Sequence, residues 1–190
     1  MYIKQKIKHH FFLYPNSKLR VRELERTLKL PLPSVIRYCR ELKEEKILKT
    51  ITIGKTVFYT ADRVSKSFLL EKKLFNIKSI YESKLIEHLK RELHNPVIIL
   101  FGSYSKGEDV EESDIDLYIE SKTAINTDFF ENKLKRKIQI HNYNNIKQVN
   151  PHLANNIING ITLNGQLEVF HGSRLEGVPG KNGKKNNTRH

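Results

Sequence analysis

Leu100-Phe101-Gly102-Ser103-Tyr104-Ser105-Lys106-Gly107, followed by Ser113-Asp114-Ile115-Asp116-Leu117, is the stretch that decides the fold. It opens on the longest apolar run of the chain, Pro96-Val97-Ile98-Ile99-Leu100-Phe101, which reads as a buried strand after the break at Asn95-Pro96. That strand runs into Gly102-Ser103, where a helix starts. A glycine lets a phosphate approach the backbone, and the Ser103 hydroxyl and the first helical amides can donate to its oxygens. Lys106 closes the turn and joins Gly102 and Ser103 as a candidate nucleotide-binding residue. The chain returns as a second strand, Ser113 to Glu120. Alternate strand residues face one side, so Asp114 and Asp116 converge beside the Gly-Ser turn. Two hard oxygen ligands next to a phosphate cradle suit Mg²⁺. In phosphoryl and nucleotidyl transfer such ions neutralise the triphosphate and orient the attacking hydroxyl.

The joint pattern of Gly102-Ser103 and Asp114-Ile115-Asp116, flanked by a hydrophobic strand and by Leu117-Tyr118-Ile119, resembles the minimal nucleotidyltransferases of the DNA polymerase beta-like superfamily. The resemblance spans roughly Val97 to Phe170 and is specific only as a joint pattern. It implies transfer of a nucleoside monophosphate from a nucleoside triphosphate, with ATP as the expected donor and Mg²⁺ as the cofactor. The implied acceptor is a hydroxyl on a protein, a nucleic-acid end or a small molecule such as an aminoglycoside. Members of this family also act as antitoxins that nucleotidylate a partner toxin. Catalytic members usually carry a third carboxylate on the next strand, within a hydrophobic-Asp-hydrophobic triplet. The corresponding triplet here is Ile138-Gln139-Ile140, and an amide can neither act as a base nor neutralise a metal. Two readings stay open. In one, the site is degenerate and the chain is a DNA-binding regulator. In the other, His141, on the face of Gln139, substitutes as a catalytic base beside Asp114 and Asp116. Glu120 shares their face but lies further along the strand.

Working outward, Arg136 to Tyr143 is a third strand, Asn150-Pro151 opens a helix over His152–Ile158, and Ile161 to Phe170 is extended with a turn at Asn164-Gly165. Upstream, Ile7–Tyr14, Val21–Leu28 and Ser34 to about Lys46 read as helices, the third with Val35, Ile36, Cys39 and Leu42 inside. Two β-branched runs, Lys49–Ile53 and Thr56–Thr60, separated by Gly54-Lys55, read as a hairpin. This is the order of a winged helix-turn-helix, which the segment Val21 to Leu48 resembles. Ser34, Arg37, Tyr38, Arg40 and Lys43 of the third helix, with Lys55 of the wing, are then candidate DNA-binding residues, able to read base edges or grip phosphate. Between the two halves, Asp62 to about Leu93 is a charged helical stretch with an apolar stripe of Leu69, Leu70, Leu74, Ile77 and Ile80. Leu85, Leu89 and Leu93 continue the stripe, and a connecting helix pair packed on both modules explains it more simply than a dimerising coiled coil.

The expected class is therefore α+β: a winged helix-turn-helix over residues 1–61, connecting helices over 62–94, a small mixed-sheet nucleotidyltransferase-like domain over 95–171, and a disordered basic tail over 172–190. A hydrophobic fraction of 38% and a mean hydropathy of -0.55 suit a soluble globular protein. No apolar run approaches the roughly 20 residues of a membrane span, and no secretory signal is evident. One cysteine, Cys39, excludes an internal disulfide and suits a reducing cytoplasm. The net charge of +13 is uneven: residues 1–93 hold 22 basic and 10 acidic side chains, residues 94–171 hold 7 and 10. Such asymmetry favours a polyanion, DNA, as partner of the first half. A partner protein and a homodimer are further expectations.

Overall fold

The computed structural model describes residues 2–169, so the expected basic tail lies outside the described residues. The chain is mixed α and β, with one two-stranded and one four-stranded sheet. Three helices come first: α1 (Ile3–Leu13), α2 (Val21–Leu28) and α3 (Leu32–Glu44). Helix α1 begins earlier than its apolar pattern suggests, because Lys4 pairs with Glu41 at 3.2 Å and so anchors the first turn to α3. Strands β1 (Leu48–Ile53) and β2 (Thr56–Ala61) form the hairpin in antiparallel register, Leu48 opposite Ala61. A backbone bridge from Leu19 to Tyr59 adds a third short edge to it. Ile7, Phe11, Phe12, Leu24, Val35, Cys39, Leu42, Ile47 and Leu48 pack into one apolar cluster. Burial pushes the Cys39 thiol up to about 12, so it behaves as a small core hydrophobe. Ile36, expected inside, is half-buried.

The connecting stretch is two helices, α4 (Lys66–Ser83) and α5 (Leu85–Glu92), separated at Lys84 in left-handed conformation. Its expected stripe needs correction. Leu70 and Leu74 are 58% and 55% exposed. Lys72 and Asn76 take the inward positions between Phe68 and Ile80 instead, because polar partners from other elements await them.

The second sheet has the order β5-β4-β3-β6. It contains β3 (Ile98–Phe101), β4 (Ile115–Glu120), β5 (Ile138–Tyr143) and β6 (Ile161–Asn164). Strands β3 and β4 are antiparallel, β4 and β5 parallel. Strict alternation sorts their side chains. Ile98, Leu100, Ile115, Leu117 and Ile119 face Ile80, Leu85, Ile86 and Leu89 of the connecting helices and Phe130 and Leu134 of α7 (Asp128–Leu134). On the other face, Ile99, Phe101 and Tyr118 pack with Ile157 of α8 (Pro151–Ile158). Asn150 caps α8 by accepting from the Leu153 amide, and Pro151 fills its first turn. Between β3 and β4 sits the short α6 (Gly102–Lys106). No helix among the described residues is long and apolar enough to cross a membrane.

Candidate active site

The register of β3 and β4 places Phe101 opposite Asp116, so the glycine that follows β3 meets this acid at once. Gly102 has φ +73°, and a Cβ there would stand 2.3 Å from Asp116 Oδ2. Only glycine allows this turn and this carboxylate to abut. Ser105 Oγ donates to the Gly102 carbonyl at 2.8 Å and tightens the first turn of α6. The half-buried Ser103 hydroxyl has no hydrogen-bond partner among the described residues, and Lys106, at the end of α6, is exposed.

Asp114, just before β4, and Asp116, within it, are both half-buried. Burial holds the Asp116 carboxyl above the usual carboxylate range; His141 works against that shift, and the like charge of Asp114 adds to it. Neither acid pairs with a lysine or arginine among the described residues. The neighbour of Asp116 is His141, whose Nε2 lies 3.6 Å from Oδ1 and makes no hydrogen bond although it is buried. The imidazole rests against the Phe101 ring at 5.1 Å between centroids. In the parallel pairing of β4 with β5, Gln139 stands opposite Asp116 and is exposed. Glu120 is engaged elsewhere, accepting from the Tyr118 hydroxyl at 2.8 Å.

The donor set suits a hard divalent ion in part. Asp114 pairs with no cation among the described residues and Asp116 only with His141, so both carboxylates have oxygens to offer such an ion, which would relieve their mutual repulsion. No group of three or more acidic, histidine or cysteine side chains able to hold a metal occurs among the described residues. Two carboxylates suffice for an ion that keeps several waters and binds substrate phosphate. Beside Asp114 opens a cleft of about 680 Å³ lined by Glu111, Glu112, Glu131, Lys135, Arg136 and Lys137. Its basic wall belongs to the turn between α7 and β5, which strand periodicity did not single out.

In the N-terminal half, Arg37, Arg40, Lys43 and Lys55 are exposed, while Ser34 and Tyr38 are half-buried. Tyr38 packs against the N-terminal core, and the Arg37 guanidinium lies 4.4 Å from its ring centroid. Arg37 also pairs with Glu41 at 3.7 Å, so this face is less cationic than its arginines suggest. Residues that the linear reading missed gather next to it. Arg20, Arg22 and Arg26 join Arg40 around a cleft of about 610 Å³ with Val21, Ile36, Val57 and Tyr59 in its lining. The i, i+4 spacing of Arg22 and Arg26 along α2 was visible, but only the packing of α2 beside β2 and α3 brings Arg40 among them.

A mixed sheet with helices on both faces, carrying a glycine turn pressed against one of two neighbouring carboxylates, defines an α+β domain. The model of the nucleotidyltransferase domain matches residues 82–178, about half of the chain, and the chain belongs to that family. Its general chemistry is nucleotidyl transfer, and domains of this family generally use divalent metal ions. No curated protein and no solved structure matches the chain.

Proposed function

We propose that the protein transfers a nucleoside monophosphate from ATP or another nucleoside triphosphate to a hydroxyl acceptor, with Mg²⁺ held by Asp114 and Asp116. The observation that carries this reading is the abutment of Gly102 on the Asp116 carboxylate, which brings the Gly102-Ser103 turn and one of the two acids together. Magnesium, when bound, neutralises the triphosphate charge and the developing charge on the leaving pyrophosphate. The Ser103 hydroxyl and the amides of the turn that follows Gly102 orient the phosphates, and Lys106 adds a cation at their rim. The acceptor oxygen bonds to the α-phosphorus as the bond to pyrophosphate breaks. His141 is the base this reading assigns: its Nε2 carries no hydrogen bond and lies 3.6 Å from Asp116 Oδ1, and a shift of the ring must uncover it for the acceptor hydroxyl to reach it. The cleft beside Asp114, lined by both acidic and basic side chains, offers room for the acceptor without fixing its charge.

The test is incubation with α-labelled ATP and Mg²⁺ and a panel of protein, nucleic-acid and small-molecule acceptors. Label should reach an acceptor with the wild type and fall at least a hundredfold with Asp114→Ala/Asp116→Ala, an effect in keeping with charge stabilisation at such sites. Transfer that survives the double substitution would remove the acidic pair from the mechanism.

A second reading is favoured by Gln139, whose register opposite Asp116 puts an amide where a third carboxylate is expected. It makes the protein a regulator that holds nucleotide without transferring it and binds DNA through its N-terminal half. Three helices, a hairpin and the Leu19–Tyr59 bridge support a winged helix-turn-helix there. The arginine cleft of α2 and α3 supports phosphate contact next to the Arg37, Arg40 and Lys43 face. Nucleotide uptake without label transfer, together with salt-sensitive DNA binding, would decide for this reading.

A further inference from the structure

The loop from Gly107 to Ser113 joins the Gly102-Ser103 turn to Asp114, so its placement decides whether the two halves of the candidate site meet. It is held from the other side of the molecule. Gly107, with φ +76°, packs on the backbone of α4: a Cβ there would meet the Leu69 carbonyl at 2.4 Å and the Lys73 nitrogen at 2.8 Å. Two residues on, Asp109 is 1% exposed and is gripped by α4 on both oxygens. Lys72 Nζ donates to Oδ2 at 2.7 Å, and Asn76 Nδ2 donates to Oδ1 at 2.7 Å. Both donors are bivalent. Lys72 also donates to the Phe12 carbonyl at 2.8 Å, and Asn76 to the Tyr104 carbonyl within α6 at 2.9 Å. Arg136 lies 3.9 Å from Asp109 and donates to the Leu13 carbonyl at 3.0 Å. Phe12 and Leu13 close α1, where carbonyls lack helical donors and the helix dipole welcomes cations. At the surface a second clasp repeats the link: the Asn16 amide and Nδ2 donate to the Glu111 carboxylate at 3.1 and 2.8 Å, and Arg63 steadies Asn16 at 2.6 Å.

We infer that Asp109 is a positioning residue through which the C-terminal end of α1 and helix α4 set the loop that carries Asp114, so the N-terminal half of the molecule completes the nucleotide site. The inference rests on the nucleotidyltransferase reading of that site. A buried ion pair is a poor source of net stability compared with apolar packing, but breaking one partner is costly, and its geometry is specific. Lys72 and Asp109 are the most buried ion pair among the described residues, and they join the loop to a helix outside the matched family region. Any shift of α1 or α4 must move Asp109, and the loop has only four residues between Asp109 and Asp114 over which to absorb it.

The test uses the full chain and two variants. Lys72→Met/Asp109→Asn removes both charges together and leaves an acceptor for Asn76, so neither of the pair is stranded, while Arg136 keeps the Leu13 carbonyl. Asn16→Ala/Glu111→Ala opens only the surface clasp and leaves every core contact in place. Each is compared with the wild type for Mg²⁺-ATP affinity by calorimetry and for hydrogen exchange of the amides of residues 107–115. The paired core variant should bind at least tenfold more weakly and exchange faster in residues 107–115, with strands β3 and β4 still protected. The surface variant should do the same to a lesser degree, with an unchanged thermal midpoint. Should the core variant not fold, the surface variant decides alone. Wild-type affinity and wild-type exchange in a folded variant would overturn the inference. A wild type that takes up no nucleotide would instead overturn the transferase reading, and the exchange measurement, which needs no ligand, would still decide whether the clasps hold the loop.

Discussion

At the scale of single residues, Gly102 makes the sharpest demand. An alanine there must hold a left-handed backbone, at a cost of about 1–2 kcal/mol, and its methyl must displace the Asp116 carboxylate, since only 2.3 Å separates them. Gly102→Ala should therefore lower the thermal midpoint by about 2–8 °C for a chain of this size. It should also weaken Mg²⁺-ATP uptake more than tenfold, because the displaced group is a proposed metal ligand. Calorimetry with nucleotide and differential scanning on the same sample check both parts, and a lower midpoint with unaltered affinity would detach Gly102 from the site. Gly102, Ser103, Asp114 and Asp116 were readable in the sequence because their relation is local: a turn after a strand, then two residues of one strand on the same face. Lys72, Asn76 and Asp109 were not. On helical spacing alone, Leu70 and Leu74 looked like the inward face, and only partners 28 to 60 residues away explain why a lysine and an asparagine went inside. The separation is too long for any periodic pattern to carry.

At the scale of elements, strong patterns placed α2, the hairpin and the strands of the second sheet. Helix α7 escaped notice, because its buried contribution is only Phe130 and Leu134 and its remaining face is polar. Helix α1 carries an element-level consequence of its composition. His9 and His10 are adjacent on it, and burial pushes both imidazoles below their ordinary value of 6.5. His9 packs on Phe75 and His10 on Phe11 and Tyr14. The charges of Lys8 and Lys78 add to the shift at His9, and Glu82 opposes it. A lowered value in the folded chain means that the unfolded chain binds the proton more readily. Stability is then complete above 6.5 and is lost as the pH falls below it, through the window between the unfolded and folded values. The thermal midpoint should decline from about pH 8 to about pH 5, and the decline should be shallower in His9→Gln/His10→Gln. Parallel curves for the two proteins would show that acid acts elsewhere.

At the scale of the whole molecule, the sequence reads as two modules joined by connecting helices packed on both. Helix α4 is where they join, because it belongs to both cores. Its first turns place Phe68, Leu69 and Phe75 against the N-terminal cluster. Its last turns place Ile77 and Ile80 against the sheet. Between them Lys72 and Asn76 tie the end of α1 to the loop before Asp114. Neither half can lose its structure without exposing part of α4's other face, and breaking Lys72 from Asp109 would leave charge buried without a partner, a cost of about 3–5 kcal/mol. That coupling is of the order of a small domain's entire stability. The chain should therefore unfold in one cooperative step, with the calorimetric enthalpy equal to the van't Hoff enthalpy and with circular dichroism and tyrosine fluorescence tracing the same curve. Two resolved heat-capacity peaks, or a tyrosine transition displaced from the helical one, would mean that α4 breaks between its two cores and that each half stands by itself.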